Sequence, residues 1–288
     1  MNLRKPCVTV TIGRKGINMH VEVASCSDIG LVRDHNEDYI GSDQTLGIVA
    51  LADGMGGHQA GEIASEIAVN TIIQEITKPL LKLIHSSSDT NEHYYQYLKQ
   101  LLEQAVMRAN QVIYQTAKEQ VHCYGMGTTI VAAIFHLGVI SIAHVGDSRL
   151  YRFRNQQLQQ LTIDHSVLQE LIDCGFFTPQ QARHAPNRNL VTRALGVEER
   201  VLVDVQQYKV DKNDIYLLCS DGLNDMLEDE EIQAVLLENN HQLKEAAYAL
   251  VEAANAKGGE DNVSVILVRP VFDDTDGWLK KLAKWWGK

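Results

Sequence analysis

The apolar residues of this chain change their spacing in blocks, and the order of those blocks restricts the fold more than any other feature. Strand-like patterns cluster with one another. Thr129–Phe135 and Val139–Val145 flank His136-Leu137-Gly138, a hairpin turn, and Leu150–Arg154 alternates up to a further turn at Asn155. Helical spacing comes in pairs. Ile63, Ala64, Ile67, Ala68, Ile72, Ile73 and Ile76 mark a helix from Ala60 that Pro79 and the polar stretch Ser86–Asn91 are expected to close. Leu98, Leu101, Leu102, Ala105, Ala109, Val112 and Ile113 mark a second over Tyr95–Glu119. Asp229–Glu238 and Gln242–Ala256 form another pair, the latter stopped at Gly258-Gly259.

Leu46–Ala52 is short and continuously apolar, as a strand buried on both faces would be. Val201–Val210, Ile215–Cys219 and Val263–Val268 read as further strands. Val8–Ile12 and Met19–Ala24, joined by Gly13-Arg14-Lys15-Gly16, read as an opening hairpin. Ser166–Cys174 is a short helix stopped by Gly175, and Thr178-Pro179 starts another. Strands grouped with strands and helices arriving in pairs define an α+β chain with largely antiparallel sheets. No interior stretch reads as a linker, so one domain is expected.

With 288 residues and 45% hydrophobic content, the chain can bury a core without staples, which excludes disordered and fibrous classes. Its formal charge of −11 argues against a nucleic-acid groove or a general membrane-surface binder, and leaves room for acidic metal clusters. The five cysteines form no C-x-x-C pair and read as reduced, mostly buried thiols. No apolar run is long enough to span a bilayer or serve as a signal peptide; the most apolar stretch, Ile130–Val145, is interrupted by His136 and His144. A cytoplasmic location is expected.

The chemistry lies in where the aspartates sit. Apolar strands end in or open from Asp53-Gly54, Gly146-Asp147, Asp221-Gly222 and Asp261-Asn262, the last beside Gly258-Gly259, and Glu37-Asp38 precedes the Leu46 run. Singly, each is a turn, because Asp and Gly supply turn chemistry. Together, at strand ends that converge on one rim, they are a set of repelling carboxylates that a cation would neutralise. Oxygen donors without a Cys/His cluster favour Mg²⁺ or Mn²⁺ over zinc. Arg33 lies close by, and a guanidinium forks onto phosphate oxygens. Spacing alone leaves that reading level with a surface salt bridge between Arg33 and a neighbouring acid.

At this point the residues resemble a known family. Ser27-Asp28-Ile29-Gly30-Leu31-Val32-Arg33-Asp34-His35-Asn36-Glu37-Asp38, Asp53-Gly54-Met55-Gly56-Gly57-His58 and Gly127-Thr128-Thr129 resemble the metal-dependent protein Ser/Thr phosphatases of the 2C type. Gly146-Asp147-Ser148-Arg149, Asp164-His165-Ser166, Ser220-Asp221-Gly222-Leu223 and Asp261-Asn262 continue the match in order, over about Val21 to Val268. The resemblance implies a central sandwich of two antiparallel sheets flanked on both faces by pairs of helices, with a flap over about 162–195. It implies a phosphatase domain over 21–270, an N-terminal extension over 1–20 and a C-terminal spacer and tail over 271–288. It implies two Mn²⁺ or Mg²⁺ ions, and in bacterial members a third, weaker one. Asp53 matches the bridging carboxylate and Gly54 a carbonyl ligand. Glu37, Asp38, Asp221 and Asp261 match further metal-binding positions, Asp147 and Asp221 those of the third ion, and Arg33 the phosphate-binding arginine. The implied activity is hydrolysis of phosphoserine and phosphothreonine in proteins by a metal-activated water, with no phosphoenzyme.

The implied partners are phosphorylated proteins and an opposing Ser/Thr protein kinase, with the chain a monomer. The match departs at Met55, where some members carry a histidine proposed as a general acid. His35 and His58 are the nearby candidates; His58 reads more simply as a helix-start residue, and His136 and His144 as core or edge residues. A catalytically weak phosphoprotein-binding module of the same fold is the alternative, but its mark would be missing strand-end acids. A hydrolase of small phosphate esters would share the chemistry. Beyond the match, an acidic spacer leads to Trp278, Leu279, Leu282, Trp285 and Trp286, which share one side of a helix with lysines on the rest. That tail suits an anionic membrane or a partner groove, or folds back on the domain.

Overall fold

The computed structural model describes residues 19–56, 60–86, 92–178, 181, 190–239 and 241–272. The expected strand Val8–Ile12 and its turn, His58, Pro179 and the C-terminal spacer and tail lie outside these residues.

Among the described residues, eleven strands form two antiparallel sheets. The first sheet, in spatial order, holds β1 (Met19–Asp28), β11 (Val263–Phe272), β10 (Ile215–Cys219), β7 (Arg149–Arg154) and β8 (Gln157–Gln160). The second holds β2 (Asp38–Asp43), β3 (Ile48–Met55), β5 (Ile130–His136), β6 (Val139–Val145) and β9 (Asp204–Lys209), with β4 (Gly127–Thr128) against β3. Helices α1 (Ala60–Ser86) and α2 (Glu92–Glu119) pack on the second sheet. Two helices, α5 (Asp229–Glu238) and α6 (Leu243–Ala256), pack on the first. Short helices α3 (Val167–Asp173) and α4 (Asp221–Asn224) lie in the connections. The resulting layers run helix, sheet, sheet, helix.

Period-two alternation explains the layering, because successive strand side chains point to opposite faces. In β3, Ile48, Ala50 and Ala52 face the α1/α2 layer, while Val49 and Leu51 face the space between the sheets. In β10, Ile215, Leu217 and Cys219 face α5 and α6, while Tyr216 and Leu218 meet the other sheet. Strands apolar on both faces are what the continuous run at Leu46–Ala52 requires. The hairpins turn where positive φ is tolerated: Leu137 and Gly138 at φ 50 and 79, Asn155 and Gln156 at φ 52 and 65. Ser166 caps α3 by accepting from the Gln169 N–H at 3.2 Å.

One expected strand is longer than the sequence suggests, and one expectation needs correction. Met19–Ala24 extends to Asp28 and pairs with β11, the last strand among the described residues, so this partner lies far along the sequence, while the expected hairpin partner Val8–Ile12 lies outside the described residues. Pro79 does not close α1, which continues to Ser86. Ile72, Ile76, Leu80 and Ile84 recur every four residues and are buried on both sides of the proline. Burying that stripe outweighs the one main-chain hydrogen bond that Pro79 removes. Leu80→Ala is therefore expected to cost about 3 kcal/mol in urea denaturation; a cost near zero would mean that the helix effectively stops at Pro79.

Candidate functional site

Strand register brings the acidic strand ends to one rim. Asp38 and Asp53 stand directly opposite each other in the β2–β3 ladder. Gly54 pairs with Thr128, and Ile130 with Val145, which sets Gly146-Asp147 beside Thr129. In the other sheet Cys219 stands opposite Val265, so Asp221 and Asp261 emerge together. Asp28 stands opposite Val263, which delivers the loop carrying Arg33 and Glu37 to the same end.

Neutral side chains hold this rim by its main chain. Ser220 Oγ donates to Asp38 Oδ2 at 2.7 Å and accepts from the Ser264 N–H at 3.0 Å, linking one sheet to the other. Asn262 Oδ1 accepts from the Glu37 N–H at 2.8 Å, and its Nδ2 donates to the carbonyls of Ile29 and His35, both at 2.9 Å. The Glu37 carbonyl accepts from the Gly54 N–H at 3.1 Å and from Ser65 Oγ at 2.6 Å. The Asp53 N–H donates to Thr129 Oγ1 at 3.0 Å, and its carbonyl accepts from the Thr129 N–H and Thr128 Oγ1, both at 2.8 Å. A Cβ on Gly54 would lie 2.1 Å from the Gly61 carbonyl oxygen, so the start of α1 approaches β3 only because Gly54 has none.

The carboxylates raise one another's proton affinity. Burial lifts the Asp38 carboxyl to about 6, with Asp261 adding to it. Burial, then the charges of Asp38, Asp221, Asp147 and Asp261, hold Asp53 well above the usual range. Burial, then Asp147, Asp225 and Asp261, do the same to Asp221. Asp147 is pushed up to about 7 by burial, then by Asp164. Burial also lifts Glu37, against the opposing charge of Arg33. Two buried oxygens, Asp38 Oδ1 and Asp221 Oδ1, have no hydrogen-bond partner. Divalent cations fit this donor set: they would satisfy the orphaned oxygens and neutralise the repulsion, and all-oxygen ligands suit Mg²⁺ or Mn²⁺. Among the described residues no three of these carboxylates bring one oxygen each within 4.8 Å of one another.

Arg33 Nη2 donates to Asp261 Oδ2 at 2.6 Å while its side chain stays half exposed. The salt bridge that spacing left open for Arg33 is thus present, on a guanidinium that still reaches solvent. The other N–H donors of Arg33 have no partner among the described residues. His35 is exposed, Met55 pairs with Gly127, His136 stacks on Tyr94, and His144 is buried with Nε2 2.8 Å from the Ile163 carbonyl. The supporting roles of Ser65, Ser220, Thr129 and Asn262 were missed by sequence reasoning. Three of the four lie within motifs that attracted notice through their neighbours, whereas nothing in the sequence marks Ser65.

Comparison with known proteins assigns the chain to a family. The family described as Protein phosphatase 2C matches residues 31–263, and the chain belongs to it. It is 39% identical to the serine/threonine phosphatase stp of Listeria monocytogenes, over 87% of this chain and 95% of that protein. It is 36% identical to the serine/threonine protein phosphatase PstP of Mycobacterium tuberculosis, over 90% of this chain and 46% of that one. The crystal structure of the catalytic domain of PstP in complex with two manganese ions superposes with a TM-score of 0.72 at 35% identity, covering 88% of this chain and 99% of that one.

Raised carboxyl pKa values set the sign of a pH effect. A folded-state pKa above the unfolded value contributes stability that is fully present below pH 3.8 and is lost as pH rises through about 6 and 7. Protein kept in chelator is therefore expected to lose about 5 °C in Tm between pH 5 and pH 8. Asp38→Asn should lose less, and Mn²⁺ should raise Tm more at pH 8 than at pH 5. A chelated wild type whose Tm climbs across this window would contradict the assignment.

Proposed function

We propose that the chain hydrolyses phosphoserine and phosphothreonine monoesters in proteins, using Mn²⁺ or Mg²⁺. The observation that carries this reading is a rim of mutually repelling carboxylates, with oxygens that find no partner among the described residues, bordered by an arginine that commits one donor to Asp261 and stays half exposed. The names of its relatives as serine/threonine phosphatases support it.

The reading assigns cation binding to Glu37, Asp38, Asp53, Asp221, Asp261 and the Gly54 carbonyl, with Asp147 and Asp221 holding a weaker third ion. Bound divalent ions supply a water of lowered pKa and neutralise charge on the phosphoryl group. Arg33 binds the equatorial phosphate oxygens through the donors that Asp261 leaves free, and Asp261 holds the guanidinium at the rim before substrate arrives. Asp53 is fixed through both main-chain polar atoms by Thr128 and Thr129, so its carboxylate is preorganised. Water, not the protein, accepts the phosphoryl group. Cys219 is no rival nucleophile, because burial pushes its thiol far up and keeps it protonated.

The substrate class implies a Ser/Thr protein kinase whose products this chain reverses. We extend the proposal to a phosphatase unit over 21–270 with a flap over about 162–195, working as a monomer in the cytoplasm. No helix among the described residues is long and apolar enough to cross a membrane.

Asp53→Asn and Asp221→Asn are each expected to lower kcat on a phosphothreonine peptide by about 100-fold or more. Chelator should abolish turnover and added Mn²⁺ restore it. Wild-type turnover in either variant would remove that residue from the centre. A preference for a small aryl phosphate over every phosphopeptide would redirect the substrate class.

A further inference from the structure

Among the described residues, one compact group of potential metal ligands lies apart from the carboxylate rim: His144, His165 and Asp204. It does not suit a cation. Arg193 Nη1 lies 3.0 Å from both His165 Nε2 and Asp204 Oδ1, placing a positive charge where an ion would sit. The Gly146 N–H donates to His165 Nδ1 at 3.0 Å, so in the neutral ring Nε2 keeps its proton, directed to Asp204 Oδ2 at 3.3 Å, and Arg193 donates to Asp204 Oδ1, not to the ring.

What His165 holds is the turn that carries Asp147. It grips Gly146 at both main-chain polar atoms: Nδ1 accepts from the Gly146 N–H, and the His165 N–H donates to the Gly146 carbonyl at 3.0 Å. Gly146 sits at φ +107, and a Cβ there would lie 2.7 Å from Thr129 Cβ. The chain therefore bends sharply between Val145 and Asp147, and His165 closes that bend.

The imidazole is itself fixed from several sides. Its ring stacks on His144 at 4.7 Å and 16°, Nε2 lies 3.3 Å from Asp204 Oδ2, and its carbonyl accepts from the Thr192 N–H at 2.8 Å. Burial, then the charges of His144 and Arg193, hold the ring's pKa down to about 4 against the pull of Asp204, which leaves Nδ1 an acceptor at neutral pH. Asp147 in turn is the foremost charge acting on Asp221.

We propose that His165 is a positioning residue of the metal centre: by clamping Gly146 it sets where the Asp147 carboxylate stands relative to Asp221. This inference rests on the assignment of Asp147 to cation binding. His165 touches neither substrate nor ion; it acts through the Gly146 main chain.

Calorimetric titration with Mn²⁺ tests it. Asn at 165 keeps an acceptor at the Nδ1 position, whereas Gln places its amide at the Nε2 position. His165→Gln is expected to weaken, by about tenfold or more, the same binding step that Asp147→Asn removes. His165→Asn should stay within about threefold of wild type. The positioning role is overturned if His165→Gln binds like wild type, or if Asn and Gln at 165 weaken binding equally. A wild type that takes up no Mn²⁺ would instead sink the phosphatase reading itself, and this inference with it.

Discussion

Repulsion among enclosed carboxylates governs the arrangement of this molecule. Asp38 and Asp53 face each other across a ladder, a placement that is unfavourable for like charges, and Asp147, Asp221 and Asp261 add to the same field. Such a cluster survives only on a rigid frame. Three apolar layers supply it: one between the sheets and one under each helix pair. Each central strand contributes to two of these layers, so the ends that carry the acids cannot splay apart to relieve the strain. What remains is relief by protons or by cations, which compete for the same oxygens.

Uncharged residues do most of the fixing. Ser65, Thr128 and Thr129 bind main-chain atoms of Glu37 and Asp53, and Asn262 fastens the Arg33 loop to the start of β11. Spending these hydrogen bonds on the backbone leaves carboxylate oxygens such as Asp221 Oδ1 free. Arg33 follows the same logic in reverse: one donor is committed to Asp261, and the rest stay available.

Much of the architecture was legible because burial on two faces leaves a mark. The continuous run at Leu46–Ala52 and the spacing of α1, α2, α5 and α6 follow from which sides meet apolar neighbours. Asp229–Glu238 agrees to the residue, because an acidic first turn marks its start. Pro79 misled, since local propensity says nothing about the apolar stripe continuing beyond it. The partner of β1 was hidden because pairing at that distance along the chain has no local signature. In the site, the aspartates were legible as strand ends, whereas the grip of His165 on Gly146 was not: the residues are nineteen apart, and only the fold makes them neighbours.

The pairing of β1 with β11 has a bearing on how the chain matures. The last described strand is preceded by Asp261 and Asn262, and Ser264 within it orients the hydroxyl that reaches Asp38. A ribosome that has made everything up to α6 has therefore not yet supplied Asp261, Asn262 or Ser264 to the rim. Synthesis must run through β11 before the two halves of that rim can close on each other.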